Sequence, residues 1–437
     1  MTVTSPRPAR TNADDLKGCF RGVMSRLGPF ESNPHLAVGV SGGADSTALA
    51  QLCHDWALVR GGKVTALIVD HGLRAGSTDE ARMTARRLAA LGIPAEILIW
   101  EGAKPGTGIQ AAARDARYGL MRAWCRNAGV LHLVVGHHAD DQMETHLMRR
   151  ARSDGPGTAG MSAIMEMSDI RLLRPLLAFR RHELAGFLIA QDVAWIDDPS
   201  NLDDGFERVR MRRRLAEEPE WADAAAVSLG AAGEKRVHLE RSVAAALVTA
   251  LAVHPMGLAW LDRAVFTSLE GEVANSLMSR LVLCLGGVGY PPAGARVERL
   301  KERLAAPGGF EGASLGRCRF LAERDGRILI CRDARNLPMA GDASPGRVAD
   351  WDGRFTVDLP AGLGKGAILA PLGADGWRQL PKDVRRGSGL SLATARTLPA
   401  LFRDGILTDH VLNHGNGGMQ ARFRPKNSLA FNGFCVA

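Results

Sequence analysis

The chain has 437 residues, 46% of them hydrophobic, which is enough for two or three domains that each bury a core. Its seven cysteines, at positions 19, 53, 125, 284, 318, 331 and 435, form no Cys-x-x-Cys pair and no cluster spaced for zinc or iron–sulfur, so free thiols in a reducing cytoplasm are expected. A net charge of +8 points to a polyanionic partner, because clustered Lys and Arg gain free energy by releasing the counterions of a phosphate backbone.

Residues 1–34 read as a polar extension leading into a weakly amphipathic helix. No apolar stretch of the secretory kind follows the start, and no run of about 18 apolar residues could span a bilayer, so no membrane is expected. The pattern then changes. HLAVGV at 35–40, KVTALIVD at 63–70, AEILIW at 95–100 and LHLVVG at 131–136 are short β-branched runs, each separated from the next by room for a crossover helix. STALAQLCHDWALV and DEARMTARRLAALG between them carry apolar residues at helical spacing, the second closing on Gly92. This alternation predicts a Rossmann-like, doubly wound parallel sheet over residues 35–215, with chemistry in the strand-to-helix turns. A mostly helical domain over residues 216–334 and a small α+β domain over residues 335–437 are expected to follow.

VGVSGGADSTALA, residues 38–50, stands directly after the first strand. Gly42 and Gly43 let the backbone approach a phosphate, Ser41 and Ser46 supply hydroxyls, and the helix that follows Ala44 aims its N-terminal N–H groups at the anion. Asp45 suits such a loop if it holds Mg²⁺. A plain Gly-rich turn with an Asp cap is the alternative.

SGGADS resembles the pyrophosphate loop of the N-type ATP pyrophosphatases and lacks the Gly-x-x-x-x-Gly-Lys of P-loop kinases, which makes γ-phosphoryl transfer the less favoured chemistry. Four more segments narrow the group: VDHGLR at 69–74, RDARY at 114–118, GHHADDQMET at 136–145 and DDPSNLDDGFERVRMR at 197–212. In this order they resemble the tRNA(Ile)-lysidine synthase family over roughly residues 36–214. That resemblance implies an ATP-dependent carbon–nitrogen ligase in the cytoplasm. It would join free lysine to C2 of the wobble cytidine of isoleucine tRNA with a CAU anticodon, through an adenylated intermediate, with ATP going to AMP and pyrophosphate. Departures are Val209 after Arg208, where the family has Asn, and Ser153 and Thr158 in the glycine-rich stretch.

If GHHADDQMET begins a helix, His137, Asp140, Asp141 and Glu144 share a face and could bind the lysine ammonium or take a proton from the attacking amine; helix capping with a solvated acidic face is the alternative. His71 and His138 have the same ambiguity and are singled out only by the family pattern. Arg114 and Arg117 lie three apart on one helical face. With Arg174 they are candidate nucleotide contacts, Arg117 also a catalytic one. The dense cluster Arg208, Arg210, Arg212, Arg213 and Arg214 is read as tRNA-binding, against the alternative of an exposed basic helix, and the resemblance implies that the domain over residues 216–334 contacts the tRNA as well. Three rivals stay open: another adenylating tRNA-modifying enzyme such as a thiolase, a small-molecule amidotransferase, and a non-catalytic RNA-binding protein on a nucleotide-binding scaffold. A homodimer stays open as well.

Overall fold

The computed structural model describes residues 13–74, 76–152, 155–167, 169–196, 207–412 and 418–429. Its first helix, α1 (Ala13–Arg26), repeats apolar residues at helical spacing, and Leu16, Phe20, Val23 and Met24 are buried at 0–3% exposure. That face joins the core of the sheet, so the helix is integral to this fold. The chain then enters β1 (His35–Val40), whose Leu36, Ala37 and Val38 are fully buried, as a strand covered on both faces requires.

The four expected strands pair in parallel: β1, β2 (Lys63–Asp70), β3 (Ala95–Ile99) and β4 (His132–Val135). They are joined by α2 (Ala44–Leu58), α3 (Ser77–Ala90) and α4 (Ile109–Ala128). Gly92, with φ +74, stands just past the Leu91 cap of α3. After β4 comes α5 (Ala139–Arg150). Two further strands, β5 (Ile164–Glu166) and β6 (Arg171–Leu173), complete a six-stranded sheet in the order β3-β2-β1-β4-β6-β5. At three residues each they are too short to leave a periodic signal. The sheet order reverses between β1 and β4, and in open sheets of this kind the crevice beyond the carboxyl ends at the reversal takes the ligand.

Three helices follow: α6 (Arg181–Ala190), α7 (Glu207–Glu217) and α8 (Pro219–Ala250). The chain divides into two compact units between His238 and Leu239, inside α8. The second unit holds β7 (Leu251–His254), β8 (Leu258–Leu261), α9 (Arg263–Ser268), α10 (Gly271–Gly286) and α11 (Gly294–Ala305). The strands β9 (Ala313–Leu315), β10 (Cys318–Ala322) and β11 (Ile328–Arg332) come next. Together they make an antiparallel sheet in the order β7-β8-β11-β10-β9. The stretch over residues 216–334 read as mostly helix therefore also contains this whole five-stranded sheet, the hairpin β7–β8 included. Beyond residue 335 lie a four-stranded and a three-stranded antiparallel sheet around Trp351, Phe355, Val357 and Leu401. Asp352 in this region accepts from two buried arginines, Arg332 Nε at 2.8 Å and Arg354 Nε at 2.9 Å.

Candidate active site

The chain leaves β1 at Ser41 and enters α2 with Gly43 as N-cap. Gly42 has φ +89, and a Cβ there would stand 2.6 Å from Thr84 Oγ1, so the turn needs glycine on both grounds. Ser46 Oγ accepts from the Ser41 N–H at 3.1 Å, donates to the Gly43 carbonyl at 3.0 Å and lies 3.2 Å from Ser41 Oγ. The serines thus brace the loop, leaving the first N–H groups of α2 without helical partners, as at any helix start. Ala44, expected from the resemblance among the nucleotide-binding residues, is buried in the core behind them and does not line the cavity beside the loop.

A cavity of about 310 Å³ opens at the reversal between β1 and β4. Ser41, Gly43, Asp45 and Ser46 line it from the loop, His71 from the end of β2, Arg114, Arg117 and Tyr118 from α4, and Gly136 and His137 from the end of β4. Asp70, one residue before His71, accepts from the Gly72 N–H, Ser77 Oγ and Thr78 Oγ, which fixes the loop that carries the imidazole. His71 packs edge-on to Trp100 with ring centroids 6.0 Å apart. Burial, then the Arg117 charge, lowers its pKa below the ordinary histidine value, so the ring is neutral at pH 7.

Gly39 on β1 makes room for α4: a Cβ there would meet Met121 Sδ at 3.0 Å and Arg117 Nη2 at 3.6 Å. Burial pulls the Arg117 guanidinium below its usual value, Tyr118 opposes this and Arg114 adds to it. Arg114 sits 5.3 Å from the Tyr118 ring centroid. Arg174, 4% exposed just past β6, donates Nη1 to the Ser162 carbonyl at 2.8 Å. It is not part of the cavity wall, but its charge couples to Tyr118 and Arg114. Three guanidinium groups around one cleft give it a strongly positive field.

The helix α5 begins at Ala139, so His137 precedes it and points its chemistry at the cavity, while Asp140, Asp141 and Glu144 belong to its first two turns. Its N-cap is His138, 3% exposed, with Nε2 3.5 Å from both Asp45 Oδ2 and Asp141 Oδ2 and Nδ1 3.5 Å from Asp140 Oδ2. Burial alone would lower this imidazole; the three carboxylates outweigh burial and raise it to about 10, so His138 is a cation at neutral pH. Asp140 accepts from Arg180 Nη1 and from the Arg181 N–H, both at 2.8 Å. Against the pull of burial, His138 and then these two donors hold its carboxyl well below the usual range. Asp141 Oδ2 accepts the His138 N–H at 3.1 Å. Glu144 is 1% exposed and accepts from Arg212 Nε at 2.8 Å, and Arg212 Nη2 is 3.7 Å from Asp141. The acidic residues of α5 are thus set among arginines and an imidazolium. Sequence reasoning passed over Arg180, Arg181 and Tyr118 and could not show that His138 joins α5 to Asp45.

The basic cluster on α7 divides. The Arg208 side chain lies outside the described residues. Arg210 and Arg213 are exposed, and Arg214 is exposed while pairing with Glu218 at 3.0 Å and covering the Trp221 ring at 4.2 Å. Arg212 turns inward to Glu144. Burial works against its charge, but Glu144 and then Asp141 raise its pKa above the usual value.

Asp45 Oδ1 is shut off from solvent with no hydrogen-bond partner among the described residues. Among those residues no group of three or more His, Cys, Asp or Glu side chains forms a metal cage. An orphaned carboxylate oxygen beside a phosphate loop fits Mg²⁺, which takes one or two carboxylates and completes its shell from phosphates and water.

A family model described as a PP-loop domain matches residues 20–219. A tRNA(Ile)-lysidine synthase of Mesorhizobium japonicum is 39% identical over 83% of this chain and 80% of its own length. One of Rhizobium meliloti is 39% identical over 76% and 74%, and one of Ruegeria pomeroyi is 36% identical over 84% and 86%.

Proposed function

This chain belongs to the tRNA(Ile)-lysidine synthase family, and from that membership we propose that it acts in the cytoplasm on isoleucine tRNA with a CAU anticodon, joining free lysine to C2 of the wobble cytidine. ATP is consumed to AMP and pyrophosphate, with adenylation of the cytidine O2 preceding attack by the amine. The observation that carries this reading is the 310 Å³ cavity, which gathers a braced phosphate loop, two arginines and an orphaned Asp45 oxygen at the reversal of the sheet.

Ser41, Gly43, Asp45 and Ser46 hold the pyrophosphate end of ATP through the N–H groups at the start of α2, and Gly42 shapes the turn. Arg114 and Arg117 face the phosphates across the cleft, with Arg174 adding its field from outside the cavity wall, and His71, neutral and half-buried, bounds the nucleoside side. Mg²⁺, when bound at Asp45, neutralises the crowded phosphate charge. Asp140 and Glu144 are engaged by Arg180 and by Arg212. His137, which lines the cavity, meets the amine of lysine together with the carboxylates Asp140, Asp141 and Glu144 of α5, whose positions Arg180, His138 and Arg212 fix. Exposed Arg210, Arg213 and Arg214 on α7 bring the tRNA backbone to the cleft.

The test is RNA-dependent release of pyrophosphate from ATP. The wild-type chain is expected to release it only when RNA is present, and Asp45→Ala to abolish the release while keeping its fold. Equal release by Asp45→Ala, or no release by the wild type with isoleucine tRNA, would overturn the reading.

A further inference from the structure

A cavity of about 540 Å³ in the second unit has no part in the chemistry above, and its walls carry an unusual charge. Five arginines line it: Arg296, Arg299 and Arg303 from α11, Arg317 from the β9–β10 turn, and Arg335. The α11 residues follow the i, i+3, i+7 rule for one helical face, while Val297, Leu300 and Leu304 bury the other face in the core. Arg317 is held at the cavity mouth by a two-residue turn in which Gly316 and Arg317 both have positive φ, +52 and +62. Such a turn favours Gly or Asn at both places, so an arginine there is backbone strain kept for its side chain.

The single acid in the wall, Asp333, is already taken. Its two oxygens accept from Arg335 Nε and Nη2 at 2.7–3.2 Å. Among the described residues no carboxylate pairs with Arg296, Arg299, Arg303 or Arg317. Two of them are aimed by neutral contacts. Arg303 Nη2 donates to the Gly312 carbonyl at 2.7 Å, and Arg299 Nε donates to the Ala295 carbonyl of its own helix at 3.2 Å. Four exposed guanidinium groups without carboxylate partners face one concavity, and an anion seated there would meet all of them. Guanidinium forks match phosphate oxygens two at a time, which a chloride ion cannot exploit.

We propose that this cavity is a second phosphate-binding site, built to take two or more phosphate groups at once through Arg296, Arg299, Arg303 and Arg317. The phosphates come either from an RNA backbone or from a free polyphosphate. The site does not depend on the reaction proposed above, since it shares no residue with the nucleotide cleft.

The experiment compares the full chain with a variant carrying Arg296→Ala, Arg299→Ala and Arg317→Gly. All three side chains are exposed, and glycine at 317 relaxes a positive φ, so the variant keeps the wild-type melting temperature or exceeds it. Arg299→Lys alone, which keeps charge but loses the fork, is the second variant. Two probes are titrated, a full-length tRNA transcript over a range of salt and inorganic tripolyphosphate. Both titrations are run on chains that also carry Asp45→Ala and Ser46→Ala, so that the nucleotide loop does not mask the result.

An RNA site predicts that the triple variant loses at least about tenfold in RNA affinity, with a log–log salt slope shallower by about 2. A polyphosphate site predicts loss of tripolyphosphate binding alone. Either outcome supports a phosphate site and names its source. Wild-type affinity for both probes, with an unchanged salt slope, overturns it. Lysine transfer by the unmodified chain is scored separately, so failure of the proposed reaction and failure of this site are distinguishable.

Discussion

The ends of β1 and β4 are neighbours at the reversal of one sheet, yet they are made of different materials. After β1 the chain uses small, uncharged residues apart from Asp45, and the backbone does the work: glycine at a positive φ, two serines bracing each other, and a helix start. After β4 the chain uses charge: an imidazolium ringed by three carboxylates, which are in turn met by Arg180, Arg181 and Arg212. The first arrangement is local in sequence and the second is assembled from four distant segments. A phosphate cradle needs only a close, donor-rich backbone, whereas carboxylates crowded beside an anion site must have counter-charges to stay ionised without repelling the nucleotide. Asp45 belongs to both, since it sits in the loop and touches His138.

The largest expected effect comes from removing that shared residue. Asp45→Ala should lower RNA-dependent pyrophosphate release by about 10³-fold, the scale of losing several kcal/mol of transition-state charge stabilisation. Thermal stability should change far less, and a parallel collapse of both would mean that Asp45 is structural.

The His138 cation gives the next effect, read in EDTA as the stability difference between wild type and His138→Asn across pH. Its folded pKa, about 10, lies above the usual 6.5, so its contribution is complete below pH 6.5 and is lost as pH rises toward 10. The difference is expected to shrink by a few kcal/mol across that window. A difference that grows with pH would contradict the charged state assigned to His138.

Arg212→Ala removes the main partner of a carboxylate that is 1% exposed and should destabilise the first unit by on the order of 3 kcal/mol. Adding Glu144→Gln should recover part of that loss in a double-mutant cycle, whereas strict additivity would show that the pair is not coupled.

Gly42→Ala tests the backbone end. It meets both the positive φ and the 2.6 Å approach to Thr84 and should destabilise by about 1–3 kcal/mol. Adding Thr84→Ala should relieve the steric part but not the φ part. Full rescue would mean that crowding alone selects glycine here.

The same contrast explains what could be read from the sequence. The loop Ser41–Ser46 was legible because all its parts lie within six positions, and β1, β2, β3 and β4 were legible because each is a continuous apolar run. The partnerships at α5 were not: Arg180 meets Asp140 from 40 positions away and Arg212 meets Glu144 from 68, distances closed only by the order of the sheet. The row of acids on α5 could be placed on one helix, but no periodicity says that an arginine already occupies each neighbour. Arg212 stood inside a basic cluster, and composition alone gave no reason for it to turn inward while Arg210 and Arg213 stay exposed. In the second unit the strands are two to five residues long, and β7 and β8 stand between α8 and α9, which left their hairpin hidden in a helical stretch.

The most direct measurement of the central claim is transfer of radiolabelled lysine. The purified chain is incubated with ATP, Mg²⁺ and unmodified isoleucine tRNA bearing CAU, with methionine tRNA of the same anticodon as control. Label in the isoleucine tRNA alone, dependent on ATP and lost with Asp45→Ala, is the predicted result. Label in neither tRNA, with the protein folded and ATP bound, would contradict the account.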